Sequence, residues 1–589
     1  MEENEINNTN TKKDESGQQN MSGNMYSYRD NNNKNVIDNP QEAGAIRRSM
    51  GEGNPNINII QNNIGGGYGQ NYINNEDVGN HYSQENYYNS NKNSDFWVTY
   101  FILGCIEALI IIILAVFFEN KNITYNYNNK NIKNEASIDE TFKNEIIDET
   151  FKNETFNETF DYGLLRDMNI MAFIGFGMLH SILRRSSWIS ISINMLILSF
   201  SIQLSLFFNF LWKNAFKDNS EWEESFDFLY LMKAIFTSSS VLITLGSVLG
   251  KLSIIQYVIM AIFETILSSL NYQLCEEKLE IYDYGGSLYI HTFGAIFAIA
   301  VSTVLFCSSK VKLAFQNNNH LNKSNYFSNL TTFLGIIILL CFFPSFNSAL
   351  AEIELREIGR INTYYSLLGS VMGSFITSGL YNRGRFVFEQ VFLGSISGAI
   401  IISGCCTICY NHWAPIIIGT LGTIIIVTFL SKIKPFFLKW GLQDTLNIII
   451  LHGISGLLGA FITPIFAANG GEFDKQFNAT LSDIVSNERE YTTQAGIQIG
   501  AIFITIGISF IGGIATGYLM KISICGKISQ YFTDAEFFHE EENNIFEYVE
   551  PNTVYNVEIN NPSLFKMEYP VYNNPKIKGP DMRGSQPSY

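Results

Sequence analysis

Asp283-Tyr-Gly-Gly-Ser-Leu-Tyr-Ile-His291 is the most informative stretch of this chain, because its two end residues recur in Asp444-Thr-Leu-Asn-Ile-Ile-Ile-Leu-His452. In both stretches an aspartate begins an apolar segment and a histidine follows eight residues later, which is about 12 Å deeper along a helix. An ionisable side chain inside a membrane crossing is costly and usually faces a cavity or a pathway. The recurrence therefore indicates one shared polar site.

Apolar segments of about bilayer length lie on both sides of these two stretches. The chain carries only 16% charged residues, against about 25% in soluble domains. We therefore predict an all-α membrane protein with about twelve transmembrane helices. The predicted crossings are 96–118, 168–183, 188–212, 229–250, 252–275, 285–307, 327–351, 362–381, 388–409, 413–431, 444–468 and 497–520.

The charges of the connections predict the orientation of these crossings. Connections after even-numbered crossings contain Lys and Arg, as at Arg184-Arg185, and no Asp or Glu, whereas the opposite ones are acidic, as at Glu276-Glu277. Because basic connections stay on the cytoplasmic side, both termini are expected there. The sixth crossing then enters from outside and the eleventh from inside. This arrangement is an inverted internal repeat, a design typical of membrane transport proteins.

The composition divides the chain into three parts. Residues 1–95 are rich in Asn with almost no apolar clustering, which predicts a disordered cytoplasmic tail. Residues 96–521 form the predicted transmembrane channel domain, with an extracellular loop at 119–167, and 522–589 form a cytoplasmic C-terminal tail. Four Asn-x-Thr motifs fall on the predicted outer face and indicate N-glycosylation. They begin at Asn122, Asn153, Asn157 and Asn478.

Several function classes are disfavoured by the residues themselves. The net charge of −17 argues against nucleic acid as a partner, and the chain has no nucleotide-binding or nucleophile motif of an enzyme. Two histidines with distant carboxylates do not make the three or four ligands of a zinc site, so neither metal nor cofactor is expected. What remains is a narrow conduit for a small neutral or weakly ionised solute.

Each candidate residue also has a plainer structural role. A histidine in a membrane helix can simply link helices by a hydrogen bond, although two with the same Asp spacing in inverted segments favour a shared site. Asp283 and Asp444 can cap helix N-termini, and we expect that to be at least part of their role. His180 lies just before Arg184-Arg185, near the inner interface, where no buried partner is required.

At these residues the chain resembles the ammonium transporter and Rhesus glycoprotein family, in its Rhesus branch, over roughly residues 96–540. The resemblance rests on six motifs in order. They are Phe173-Ile-Gly-Phe-Gly177, Gly246-Ser-Val-Leu-Gly-Lys251, Asp283-x-Gly-Gly-Ser-x-x-Ile-His291-Thr-Phe-Gly-Ala295, Pro344-Ser-Phe346-Asn347-Ser-Ala349, Ile361-Asn-Thr-Tyr364, and Gln443-Asp444-Thr445 with Leu451-His452-Gly453.

The resemblance implies a homotrimer in a lipid bilayer, with one pore per subunit for ammonia or ammonium and for its analogue methylammonium. The glycosylation motifs alone indicate the plasma membrane. The resemblance also implies the following roles: pore histidines, His291 and His452; phenylalanine gate, Phe236 and Phe346; pore or structural aspartates, Asp283 and Asp444; vestibule, Asn347. Tyr272 stands where many relatives have a glutamate. Three alternatives stay open: a carbon dioxide or other gas channel, a sensor or scaffold that signals through its tails, and a proton-coupled carrier of another metabolite.

Overall fold

The computed structural model describes residues 100–115, 162–216, 227–308, 311, 315, 321–477, 489–522, 528, 531–534 and 537–538. These residues belong to one of two units of the chain, Gln84–Tyr589, whereas the other unit, Met1–Ser83, lies outside the described residues. The described secondary structure is entirely helical, as expected from the sequence. The four predicted glycosylation sites and the predicted tail 1–95 also lie outside these residues.

Thirteen helices are numbered in chain order over the described residues. Their bounds are α1 Tyr100–Ala115, α2 162–180, α3 Ser187–Phe216, α4 Phe228–Val248, α5 Ile254–Gln273, α6 Ser287–Phe306, α7 Tyr326–Ser348, α8 Ile353–Tyr381, α9 Phe388–Ile402, α10 Ala414–Trp440, α11 Ile449–Ala468, α12 Gly470–Phe477 and α13 Tyr491–Leu519.

Each predicted crossing overlaps one of these helices, and eight helices of the described residues are long and apolar enough to span a membrane. These are α3, α4, α5, α6, α7, α10, α11 and α13. Helices α1 and α9 are apolar but shorter than a full crossing, and the first eight residues of α8 include Glu354 and three further charged residues. The protein is therefore an integral membrane protein, and the count of twelve crossings stays a prediction for α1, α2, α8 and α9.

Side-chain caps explain where several helices begin. Asp227 accepts a hydrogen bond from the Tyr230 N–H at the start of α4, and Ser253 and Gln256 form a reciprocal capping box at the start of α5. Such caps satisfy N–H groups that have no partner within the helix. In a bilayer, where unpaired backbone groups are costly, these residues determine the first turn of each helix.

Small residues allow neighbouring helices to approach closely. A Cβ atom on Gly419 of α10 would lie 2.0 Å from the Ser366 carbonyl oxygen of α8, and one on Gly335 of α7 would lie 2.5 Å from the Leu179 nitrogen of α2. Packing of this kind holds membrane helices together, because lipid provides little hydrophobic drive for helix association. Any larger side chain at either glycine would separate the two helices.

Helices α6 and α11, which carry the two recurring stretches, meet in the interior of the bundle. Both begin with a wider π-helical turn, at Ser287–Thr292 and Ile449–Ile454, before continuing as regular α-helix. A π turn adds one residue to the helical repeat and is frequent at functional sites. His291 lies in the first π turn and His452 in the second, so both imidazoles project from irregular helix.

The basic face of the bundle is the one formed by the turns 181–186 and 249–253 and by the segment 441–448. A short part of the C-terminal segment binds to it: the Phe532 N–H donates to the Gly250 carbonyl over 2.8 Å, and Asp534 accepts from the N–H groups of Trp188 and Ile189. We call the opposite side, with Glu276, Glu280 and Asp283, the acidic face.

Candidate functional site

The two histidines predicted to share a site lie next to each other. His291 Nδ1 is 3.0 Å from His452 Nδ1, the ring centroids are 5.1 Å apart and the ring planes differ by 26°. Each residue is only 1% exposed. Helices α6 and α11 thus bring the ends of two inverted segments together at one point in the protein interior.

The hydrogen bond between the rings leaves the other nitrogen of each ring unpaired. His291 Nε2 and His452 Nε2 are buried and have no hydrogen-bond partner among the described residues. A buried polar atom without a partner costs about 1–3 kcal/mol. The two Nε2 atoms are therefore available to hydrogen-bond a small polar molecule, which is a property expected of a binding site.

Asp283 holds the first turn of α6 from the acidic face. Its Oδ2 accepts hydrogen bonds from the N–H groups of Leu288 and Tyr289, over 2.8 and 3.2 Å, and its Oδ1 accepts from the Ser287 hydroxyl over 2.8 Å. Burial raises the pKa of Asp283 to about 7, although these hydrogen bonds oppose the rise. Asp283 therefore positions the helix that carries His291 without contacting the imidazole pair in the structure.

Asp444 has the corresponding place before α11, on the basic face. Its Oδ2 accepts from the Ile449 N–H over 2.8 Å, while its Oδ1 has no described partner. Burial raises the pKa of Asp444, and the nearby charge of Lys251 opposes that rise. Lys251 itself donates to the Ser247 and Gln443 carbonyl oxygens, and burial lowers the pKa of its ammonium group to about 7.

The two predicted gate residues are stacked on the acidic-face side of the histidine pair. The Phe236 and Phe346 ring centroids are 5.0 Å apart with ring planes 26° from parallel, and both residues are almost completely buried. Phe343, one turn before Phe346, lies 6.4 Å from the Phe346 ring and 6.4 Å from the His291 ring. The rings thus form a column from the gate to the histidines.

Tyr272, where the family resemblance predicts an acidic residue, belongs to the acidic-face end of this column. Its ring lies edge-on to Phe236 at 6.3 Å and to Tyr289 at 5.1 Å. Beside this group, Lys233 donates to Glu276 over 2.7 Å. The position therefore supplies an aromatic wall rather than a carboxylate, and the nearest acidic group is in an ion pair.

Asn347 follows the gate residue Phe346 but is completely buried. Its amide nitrogen donates to the Thr363 hydroxyl over 3.2 Å and to the Ala399 carbonyl over 2.9 Å. These bonds connect α7 with α8 and α9. Its Oδ1 has no described partner, so this side chain also presents one unpaired acceptor.

Two residues of the site, Phe343 and Tyr289, were not identified as candidates in the sequence. Phe343 precedes the gate residue Phe346 by three positions, a spacing that puts both on one helix face, and Tyr289 lies inside the quoted motif, so both could have been found. His180 was expected at the interface, yet it is 0% exposed. Among the described residues no three His, Cys, Asp or Glu side chains come close enough to hold a metal ion.

Comparisons with known proteins agree with this architecture. Residues 152–542 match the sequence profile of the Ammonium Transporter Family. Ammonium transporter Rh type B of Danio rerio is 32% identical over 397 residues, which cover 65% of this chain and 84% of that protein. Ammonium transporter Rh type C of Homo sapiens is 29% identical over 401 residues, covering 66% of this chain and 81% of that protein.

Solved structures show the same fold. Nitrosomonas europaea Rh50, of the Rhesus protein family of channels, superimposes with a TM-score of 0.54 at 25% identity, covering 65% of this chain and 92% of that one. Saccharomyces cerevisiae Mep2 superimposes with a TM-score of 0.51 at 17% identity over 66% of this chain and 92% of that one. The profile match covers well over half of the sequence, and this chain belongs to the ammonium transporter family.

Proposed function

We propose that this protein is a channel that passes ammonia, delivered to it as ammonia or ammonium, along the column of rings between the two faces of the bundle. The observation that carries the proposal is the histidine pair: two imidazoles, 3.0 Å apart, each with a buried and unpaired Nε2. A solute that both donates and accepts hydrogen bonds and has the size of a water molecule fits these two atoms.

The outer end of the column selects against ions. Phe236 and Phe346 are stacked at 5.0 Å, with no open space between the rings for a hydrated cation. Removing the hydration shell of an ion costs far more than removing that of a neutral molecule. Ammonium is therefore expected to leave its proton on the acidic-face side, while neutral ammonia passes when the rings move apart.

The hydrogen bond between the imidazoles makes the pair asymmetric. With both rings neutral, one Nδ1 carries the shared hydrogen and the other accepts it, so one Nε2 is a bare acceptor and the other is an N–H donor. Ammonia can accept from the donor and donate to the acceptor in turn. The pair thus conducts a neutral hydrogen-bonding solute without placing a net charge in the hydrocarbon region, where charge is costly.

We extend the proposal to the assembly and the location of the protein. The trimer implied by the family resemblance needs apolar helix faces outside the pore, and α8 and α10 have exposed Met372, Ile376, Leu421 and Ile425. Plasma membrane location, cytoplasmic termini and glycosylation at Asn122, Asn153, Asn157 and Asn478 follow from the charge pattern and the motifs. Cross-linking of purified protein tests the trimer, and glycosidase treatment tests the glycosylation.

Flux in proteoliposomes tests the central proposal. Wild-type protein should accelerate the change of internal pH that follows an ammonium gradient, and replacing both histidines, His291→Leu with His452→Leu, should change that rate by more than about tenfold, the equivalent of about 1.4 kcal/mol. His412→Leu, an exposed loop histidine, is the matched control and should conduct like wild type. Equal flux in the double variant and wild type would contradict the assignment.

The same vesicles distinguish the alternatives. A current that accompanies flux would indicate ammonium passage, whereas electrically silent flux indicates ammonia. A gas channel predicts faster acidification under a carbon dioxide gradient with wild type than with the double histidine variant. A sensor predicts that removal of residues 1–95 leaves flux intact and abolishes signalling in cells.

A further inference from the structure

His180 is a buried histidine that has no role in the pathway described so far. It ends α2 immediately before the turn 181–186 of the basic face, is 0% exposed, and has no hydrogen-bond partner for Nδ1 or Nε2 among the described residues. A neutral imidazole always presents one donor and one acceptor. Leaving these atoms without a good partner in the protein interior is unfavourable, so the ring is suited to bind a small hydrogen-bonding molecule.

A second polar side chain lies beside this ring and is also incompletely paired. Asn194, from α3, lies within hydrogen-bonding reach of the imidazole, but its Oδ1 makes no well-formed hydrogen bond with any described group. Its Nδ2 donates to the Ala172 carbonyl over 3.3 Å. Two helices thus contribute three unpaired atoms, the two ring nitrogens and one amide oxygen, to the same buried place.

No ion pair accounts for the burial of this imidazole. Helix α7, which packs against α2 so closely that a Cβ on Gly335 would touch Leu179, contains no Asp, Glu, Lys or Arg between Tyr326 and Ser348. The only such residue of α3 is Lys213, near its far end. Neither α3 nor α7 therefore places a charged group beside His180, and a neutral hydrogen-bonding molecule is a suitable partner.

The position of His180 continues the column of rings past the histidine pair. The Phe176 ring is stacked on His452 at 6.4 Å and meets His180 edge-on at 6.0 Å. On the other side of the pair, Phe343 lies 6.4 Å from His291. One phenylalanine therefore flanks the pair on each side, and beyond Phe176, towards the basic face, the next ring is His180.

We propose that His180 and Asn194 form a third polar station of the conduction pathway, on the basic-face side of Phe176. The station binds a molecule that both donates and accepts hydrogen bonds, either ammonia that has passed His452 or a water that accepts it. This inference rests on the proposed channel function. It gives the solute a hydrogen-bonding position between the apolar Phe176 ring and the aqueous mouth of the basic face.

Two substitutions with opposite expectations test the station. His180→Phe keeps a ring of similar size without polar atoms and should lower ammonia flux in proteoliposomes by about five- to tenfold, as expected for the loss of one hydrogen bond. His180→Gln keeps a donor and an acceptor and should stay within about twofold of wild type. His412→Phe is the control, and thermal unfolding of each purified variant shows whether the fold is intact.

The outcomes separate the station from a structural role and from the channel proposal itself. Equal flux for His180→Phe and wild type overturns the station, as does an equal loss in both variants that parallels a loss of folded protein. Asn194→Leu replaces His180→Phe if that variant does not fold, with an expected loss of about threefold. Wild-type vesicles without flux above empty vesicles overturn both the channel and the station.

The bound molecule is identified in the same vesicles. If the transported solute occupies the station, His180→Phe raises the half-saturating concentration of methylammonium, and the effect of D₂O on the rate is the same as for wild type. If a resident water occupies it, half-saturation is unchanged and the D₂O effect becomes smaller in His180→Phe. Either result supports the station. If half-saturation, the D₂O effect and the flux are all unchanged in His180→Phe, the station is contradicted.

Discussion

The N-terminal parts of α6 and α11, which carry His291 and His452 and are called here the first and second half-helix, have the same backbone path but are held by different contacts. In each, a residue with positive φ stands three positions after the aspartate, Gly286 with φ 78° and Asn447 with φ 54°, and a π turn follows. The carboxylate caps the N–H five residues on in both cases. Inverted repeats thus preserve the geometry that places the histidines.

The hydrogen bonds and ion pairs that hold this geometry differ between the two half-helices. Asp283 is 2% exposed and accepts three hydrogen bonds from its own loop and helix. Asp444 is partly exposed and accepts one, while Asn447 donates to Glu389, which is paired with Lys434. The first half-helix therefore depends on local hydrogen bonds, and the second on charged residues of the basic face.

Replacing each aspartate by alanine should reveal the largest difference in stability between the two half-helices. Asp283→Ala leaves buried N–H groups of Leu288 and Tyr289 without an acceptor and should lower the free energy of unfolding by about 4 kcal/mol. Asp444→Ala removes one hydrogen bond and should cost about 1 kcal/mol. Thermal unfolding in detergent measures both changes. Equal losses of stability in the two variants would mean that the two aspartates support their half-helices equally.

The pH dependence of stability should have opposite signs in the two regions. Because the pKa of Asp283 rises from 3.8 to about 7 on folding, the native state binds the extra proton between these values, and stability falls as pH rises from about 4 to 7. The pKa of Lys251 falls from 10.5 to about 7, so the unfolded state binds the extra proton there, and stability rises from about pH 7 to 10.

Each pH effect is measured as a difference between wild type and a variant that does not titrate. Asp283→Asn should remove the decrease in unfolding free energy between about pH 4 and 7, and Lys251→Met should remove the increase between about pH 7 and 10. Each slope is at most about 1.4 kcal/mol per pH unit. Unfolding midpoints across pH 4–10 provide the comparison. An identical pH profile in wild type and Asp283→Asn would show that the carboxyl group titrates normally in the folded protein.

The residues with positive φ should respond differently to substitution. Gly286→Ala forces an alanine into left-handed backbone, with its Cβ 2.6 Å from Ile290 Cδ1, and should cost about 2 kcal/mol. Asn447→Gly relieves the backbone but loses the bond to Glu389, so we expect a change of about 1 kcal/mol or less. Chemical unfolding of both variants measures the difference, and a harmless Gly286→Ala would contradict it.

Much of this architecture could be predicted because membrane crossing imposes long apolar runs. The helix positions followed from those runs, and the approach of His291 to His452 followed from the Asp-to-His spacing together with the alternation of basic and acidic connections. The opposed directions of α6 and α11 are a consequence of topology alone. For these features no tertiary information was needed.

Other features depend on packing that a single sequence does not reveal. His180 is near Arg184 in the chain, which suggested the interface, but it is completely buried where α2 packs against α3 and α7. The left-handed backbone at Asn447 has no counterpart to the Gly-Gly pair that announces the turn at Gly286. Both cases arise because burial and backbone angle are determined by neighbours that are distant in the chain.

The first half-helix has one further support, from α4 and α5. The Thr244 hydroxyl of α4 lies 2.6 Å from Glu264 Oε1 of α5 and 2.9 Å from the Gly294 carbonyl oxygen of α6. Glu264 is completely buried, and its Oε2 has no described partner. A hydroxyl has one hydrogen, so a protonated Glu264 that donates to Thr244 allows Thr244 to donate to Gly294.

Substitution of Glu264 tests this protonation state and should have the smallest effect. Glu264→Gln keeps a donor for the Thr244 oxygen and should change stability by less than about 0.5 kcal/mol, whereas Glu264→Leu removes the donor and should cost about 1 kcal/mol. Infrared absorption of the protonated carboxyl group, lost in Glu264→Gln, is a direct readout. An ionised Glu264 would instead make the Gln variant the more stable protein, because a buried unpaired charge would be removed.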